Sequence, residues 1–176
     1  MLILVTLPPW PKRMTPGTLK LYTGADTLGT MLYSCPCLGM SDHYMAAKHG
    51  NPTGNPLLPF GDTPTGGYAC TYSAILGDAQ FLHSYGPNGI ISMVGQEGQA
   101  LAAYQGIGWP GSPDYKPARV GIDIHGGDPI PGTAVGLRVT DGCIRVANPS
   151  MATIASYLRA GIEPIRCIVG EIAGSK

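Results

Sequence analysis

The chain has 176 residues, enough for one domain, with 11 basic and 11 acidic side chains and no Lys/Arg cluster, so it lacks the basic stripe that neutralises nucleic-acid phosphates. No apolar run approaches the ~20 residues of a membrane span. Gly (26) and Pro (17) are about a quarter of the chain, but 44% hydrophobic content argues against disorder, and the composition suits short strands with frequent turns and long loops.

The opening apolar run, residues 1–7, has no basic segment before it and meets Pro8-Pro9 at once. It reads as an edge strand rather than a secretion signal, so no Sec address is expected. Residues 19–22 and 30–35 are apolar stretches separated by a Thr23-Gly24-Ala25-Asp26 turn signal, which suits two antiparallel strands. Residues 49–67 form a long Pro/Gly loop, and an extended pattern resumes at 68–72. A turn is expected at 84–89, a strand at 90–94, a short helix or loop at 95–104 and a loop at 106–117. Residues 119–124 alternate and deliver His125-Gly126-Gly127 at a strand exit, where the strand fixes a side chain and the loop leaves it open.

The firmest helix follows Cys143. Asn148 suits the N-cap and Pro149 the first helical position. Met151, Ile154, Ala155 and Leu158 then share one face, and Gly161 can end the helix. A final strand is expected at 165–169.

Five cysteines, an odd number, in a chain without a signal argue against a disulfide framework. Cys70 and Cys167 lie in apolar strand patterns and read as core. Cys35-Pro36-Cys37 with His43 and His49 does not match zinc-finger spacing and reads as ordinary thiols, with a redox pair as the next reading. No metal or cofactor is called for. His43 and His49 would line a cleft if the long loop folds over it. Trp109, Tyr104 and Tyr115 either anchor their loop to the core or form an aromatic wall.

Cys143 is different in company. A cysteine nucleophile needs a base, an orienter for the base, and N–H donors at the developing oxyanion. His125 can be the base, with Gly126 and Gly127 leaving room and a backbone carbonyl setting its tautomer. Gly142 permits a sharp turn that could aim the Gly142 and Cys143 amides at an oxyanion. Arg145, two residues on, lies on the same side of an extended backbone and could bind a carboxylate bidentately. By spacing alone, a small buried thiol remains an equal reading.

His125-Gly126, a thirteen-residue spacer, and Thr140-Asp141-Gly142-Cys143-Ile144-Arg145 closely resemble the signature of the L,D-transpeptidases (YkuD-like catalytic domains). Gly61-Asp62-Thr63-Pro64-Thr65-Gly66-Gly67-Tyr68 resembles a second turn motif of that domain, in the family's order. The likeness covers residues 18–170 of what is then a single domain spanning 1–176. It implies a mainly β, β-sandwich-like fold with one helix after the cysteine. It also implies a cysteine acyltransferase of peptidoglycan, with Cys143 attacking a stem peptide and His125 as its base. The Gly142 and Cys143 amides would form the oxyanion hole and Thr140 would brace the loop. Arg145 would bind a substrate carboxylate, with Asp141 and Gly127 beside it. The acyl-enzyme would pass to an amine acceptor (diaminopimelate or a D-amino acid), giving L,D-transpeptidation or exchange, or to water, giving L,D-carboxypeptidase cleavage.

Asp141 departs from the histidine many members carry there, and a carboxylate beside a thiol raises its pKa. Residues 128–139 lack the usual Ser-rich run. The site of action would be the periplasm or cell wall. Without a Sec signal, the chain reads either as an antibacterial effector, made in the cytoplasm and exported by a dedicated route with a secretion or immunity partner, or as a phage-derived or mis-started chain. The other class is a cell-wall peptide-binding module of the same fold without turnover. A cysteine protease is a third reading, disfavoured because no histidine follows the cysteine in chain order.

Overall fold

The computed structural model describes residues 1–74, 79–127, 137–159 and 164–172. The expected helix end at Gly161 and most of the 128–139 segment lie outside the described residues. Among the described residues, eight strands are interspersed with four helices: β1 (Leu2–Leu7), β2 (Gly17–Tyr22), β3 (Met31–Leu38), α1 (His43–Lys48), β4 (Gly66–Ser73), α2 (Ala79–Tyr85), β5 (Ile90–Gly95), α3 (Gly98–Gln105), β6 (Ile122–His125), β7 (Ile144–Val146), α4 (Asn148–Leu158) and β8 (Ile165–Glu171).

The mainly-β expectation holds, but the strands close into one barrel in the order β1-β2-β3-β7-β6-β5-β4-β8, where a sandwich was expected. Two parallel pairings make the closure: β1 with β8 and β6 with β7. The N-terminal strand is therefore not an edge. It bonds β2 on one side and β8 on the other, and its Leu2, Ile3, Val5 and Leu7 are all buried. A strand that apolar is poorly suited to a solvent-facing edge, and closure removes the edge altogether.

Every strand sends alternate residues into the core, as a pleated backbone must. Leu19 and Leu21, Cys35 and Cys37, Tyr68 and Cys70, Ile91 and Met93, Ile122 and Ile124, and Ile144 and Val146 all belong to one buried cluster. Cys70 and Cys167 are core residues as expected, and Cys35 and Cys37 sit two apart on the same inner face. Among the described residues no metal-ligating cluster occurs.

Met151, Ile154 and Leu158 on α4 pack into this cluster. The helix begins one residue earlier than the cap reading required. Ala147 is the N-cap with Pro149 in the first turn, which frees the Asn148 side chain for another partner.

The same alternation places the candidate site residues. Because Ile122, Ile124, Ile144 and Val146 point inward, Asp123, His125, Cys143 and Arg145 fall on the opposite face of β6, β7 and the residue before β7. The parallel register pairs Ile124 with Ile144 and His125 with Arg145, which brings Cys143 alongside Asp123.

Candidate active site

A cavity of about 500 Å³ opens on that outer face, and Cys143, His125, Thr140, Asp141 and Arg145 all line it. Its far wall comes from the long Pro/Gly loop through Pro59 and Phe60. Phe60 is held at φ 58°, unusual for a bulky residue, and stacks on His49 with centroids 4.0 Å apart. His49 thus shapes the cavity through Phe60 without lining it. His43 instead approaches Asp62, with Nε2 3.4 Å from Oδ1.

Two buried arginines pin this loop. The Arg119 guanidinium donates to the carbonyls of Pro56, Gly61 and Asp62, and Arg13 donates to the carbonyl of Thr63. Inside the turn, Tyr68 donates its hydroxyl to the Pro64 carbonyl at 2.6 Å. The Asp62 carboxylate accepts from the Ser41 amide and hydroxyl at 2.8 and 2.9 Å. Thr63 Oγ1 donates to the Gly142 carbonyl at 2.9 Å. The two sequence motifs, some eighty residues apart, are therefore joined directly.

Around the thiol, Thr140 Oγ1 donates to the Cys143 carbonyl at 2.9 Å and accepts from the Gly142 amide at 3.0 Å, so Thr140 braces the loop. The Gly142 N–H, expected to face an oxyanion, is instead committed to Thr140. Gly142 itself sits at φ 109°, and a Cβ there would overlap Arg119 Nη2 and the Gly61 carbonyl oxygen. Only glycine fits a positive φ and that close approach.

His125 is buried against Tyr85, whose ring meets it edge-on at 4.7 Å. Its Nδ1 lies 2.7 Å from the Gly126 carbonyl. A carbonyl can only accept, so Nδ1 carries the proton and Nε2 holds the lone pair. The expectation that a backbone carbonyl sets the tautomer is met, and Gly126 supplies it. The adjoining turn is tight: the Gly127 N–H donates to Asn148 Oδ1 at 2.7 Å, and side chains at Gly126 or Gly127 would overlap Asn148 Oδ1 or the Ser84 carbonyl.

The resting electrostatics favour neutral groups. Burial pushes the Cys143 thiol up to about 12, helped by the Asp123 carboxylate and opposed by the Asp123 amide and Arg119; Asp141 adds a smaller upward push. Burial pushes His125 down to about 4, and the Arg145 guanidinium pushes the same way against the Gly126 carbonyl. Sγ accepts from the Asp123 amide at 3.4 Å and lies 3.5 Å from the Gly121 carbonyl. The ring and the sulfur share the cavity but hold other partners, a thiol and a neutral imidazole rather than a preformed ion pair.

Arg145 is buried, with Nη2 3.3 Å from the Ser84 carbonyl. It lines this cavity and a second one of about 760 Å³ beside it. Trp109 is 73% exposed and Tyr115 about 40%, as is Tyr104, which lies on α3 rather than in the loop; the loop is therefore not anchored to the core through these rings, and none of the three lines the cavity.

Arg119, Asp123 and Tyr85 were missed from sequence. Asp123 was accessible, because strand alternation puts it on the face of His125. Arg119 gave no signal, since its partners are backbone carbonyls 57 to 63 residues away.

No protein-family model matches the chain, and no curated protein sequence does. Among the solved structures that resemble it are two bacterial proteins. One is the helical cell shape determining protein Pgp2 (K307A mutant) from Campylobacter jejuni, with a TM-score of 0.54 and 17% identity over 99% of this chain and 49% of that one. The other is Bd1075 of Bdellovibrio bacteriovorus, with a TM-score of 0.48 and 15% identity over 95% of this chain and 46% of that one. The likeness to Pgp2 is one of fold, and the chain spans about half the length of either structure.

Proposed function

We propose that the protein is a cysteine acyltransferase of peptidoglycan stem peptides, an L,D-transpeptidase or L,D-carboxypeptidase acting in the periplasm or cell wall. One observation carries this reading: Gly126 fixes His125 with its basic Nε2 unprotonated in the same cavity as the Cys143 thiol. The motif resemblance over residues 61–145 and the fold shared with a cell shape determining protein point the same way.

In the proposed cycle the Cys143 proton passes to His125 Nε2 as sulfur attacks the stem-peptide carbonyl. The tetrahedral intermediate collapses to a thioester, and the departing amine takes the proton from His125. An acceptor amine or water then gives its proton to Nε2 and attacks the thioester, regenerating the thiol. Because both resting groups are neutral, proton transfer accompanies attack instead of preceding it. Arg145, at the cavity wall, is the group suited to a substrate carboxylate.

The thiol's burial favours one second reading, a binding module that holds wall peptide without turnover. Intact-protein mass spectrometry with a carbapenem separates the two. A one-to-one adduct lost in Cys143→Ala supports the enzyme; tight muropeptide binding with no adduct supports the module. Incubation with tetrapeptide muropeptides, with and without D-methionine, then distinguishes exchange from hydrolysis.

A further inference from the structure

Arg119 is 5% exposed, yet among the described residues no carboxylate lies within salt-bridge distance of it. Its hydrogen bonds go to the carbonyls of Pro56, Gly61 and Asp62. Carbonyl dipoles solvate a guanidinium without cancelling its charge. Burial lowers its pKa only to about 10, so it remains a cation at neutral pH. A buried charge without a paired counter-ion is expensive, and such charges concentrate where an anion forms.

The anion that forms nearby is the sulfur. Arg119 lines the cavity with Cys143, and its Nη2 occupies the space a side chain at Gly142 would need. The guanidinium thus lies against the backbone of the residue preceding the nucleophile. The other groups around the sulfur are Asp123 and His125 on β6, Tyr85 at the end of α2, Asp141 before it and Arg145 after it. Asp123 and Asp141 oppose a thiolate. Arg145 faces His125 in the strand register and opposes the imidazolium. Arg119 is the cation whose field favours the thiolate.

We propose that Arg119 is the electrostatic positioning residue of this site: its carbonyl-held charge stabilises the Cys143 sulfur as it becomes an anion, while its hydrogen bonds fix the loop that walls the cavity. This rests on the acyltransferase reading for its purpose. It is testable without it, because thiol alkylation needs neither peptidoglycan nor turnover.

The experiment measures the second-order rate of Cys143 alkylation by iodoacetamide between pH 7 and 10, by intact-protein mass spectrometry, with Cys143→Ala as background. Well below the thiol pKa this rate follows the thiolate fraction, so one unit of pKa is a tenfold change at any fixed pH. Arg119→Gln keeps amide donors for the carbonyls and removes the charge. It is expected to alkylate roughly three- to tenfold more slowly across the range, the lower figure allowing for the greater nucleophilicity of a more basic thiolate.

Arg119→Lys keeps the charge and should stay within about twofold of the parent. Thr63→Val, which cuts the loop's tie to Gly142 without touching charge, should alkylate at the parent rate or faster. A purely structural role predicts the opposite sign, since loosening the loop exposes the thiol and speeds labelling. Folded Arg119→Gln that labels as fast as the parent overturns the proposal. If that variant does not fold, Arg119→Lys decides it, and a change beyond threefold in either direction overturns it. Failure of the carbapenem adduct with the alkylation pattern intact would instead count against the acyltransferase reading alone.

Discussion

At His125 the tautomer and the pKa have separate causes. The Gly126 carbonyl fixes which nitrogen is protonated, while burial and Arg145 keep the ring neutral, with a pKa near 4. The unfolded ring titrates near 6.5, so between about pH 6.5 and 4 the unfolded chain binds the extra proton. Stability from this group is therefore complete above about pH 6.5 and falls as the pH drops toward 4. Urea midpoints should show the parent losing about 2 kcal/mol between pH 7 and 4.5 through this ring. His125→Gln should lose that much less. The difference between the two isolates the ring from carboxyls such as Asp123, whose raised pKa works in the other direction. Equal pH dependence in both proteins would mean the ring is not held neutral. At the same scale, Gly142→Ala must place a methyl group into Arg119 Nη2 and the Gly61 carbonyl at φ 109°. Differential scanning calorimetry should find a loss on the order of 3 kcal/mol, with no carbapenem adduct even where the protein is folded.

At the scale of elements, α4 has two separable jobs. Its apolar face, Met151, Ile154 and Leu158, closes the core, and its first turn carries Asn148, which holds the Gly127 amide. Ile154→Ala should destabilise by about 2–4 kcal/mol and leave the Cys143 alkylation rate of the folded protein unchanged. Asn148→Ala should cost only about 1 kcal/mol but slow acylation, because the turn that presents His125 loses its tether. The reverse pattern would mean the helix face, not its first turn, supports the site. The apolar face was legible from sequence because its 3.6-residue period is local. The use of Asn148 was not, since its partner lies twenty-one residues upstream and a cap and a tether need the same amide side chain. Residues 19–22, 30–35, 68–72, 90–94 and 165–169 were legible as strands by alternation, but their closure into a barrel was not. Closure depends on the parallel pairing of β1 with β8 across almost the whole chain, and period-2 patterning carries no partner information. That Cys143 and His125 line one cavity was legible through their motifs. Arg119 and Phe60 act through backbone carbonyls and cavity shape, which leave no residue-type signature.

Across the whole molecule, the barrel is a rigid frame on whose outer face the site is assembled from distant parts. Pairing of β6 with β7 sets His125 beside Arg145 on the face that carries Cys143, while the 49–65 loop, pinned by Arg13 and Arg119, supplies the wall. Arg13 also reaches Glu171 at 2.8 Å, tying that loop to the last strand. Under the acyltransferase reading, the protein should be consequential only where its acyl donor exists. If that donor is a stem peptide, it is met outside the cytoplasmic membrane. Expressed in a bacterial cytoplasm, the chain should leave growth unchanged. Directed to the periplasm by an added signal, it should alter the muropeptide profile, consuming tetrapeptides in favour of cross-links, exchanged termini or tripeptides, and slow growth. Cys143→Ala, exported to the same level, should do neither, because it keeps the cavity and loses the sulfur. A binding module would slow growth equally with or without the sulfur, and an enzyme with another substrate would leave the tetrapeptides untouched. Muropeptide profiling of the two exported proteins side by side therefore decides between the acyl donor proposed and both rivals.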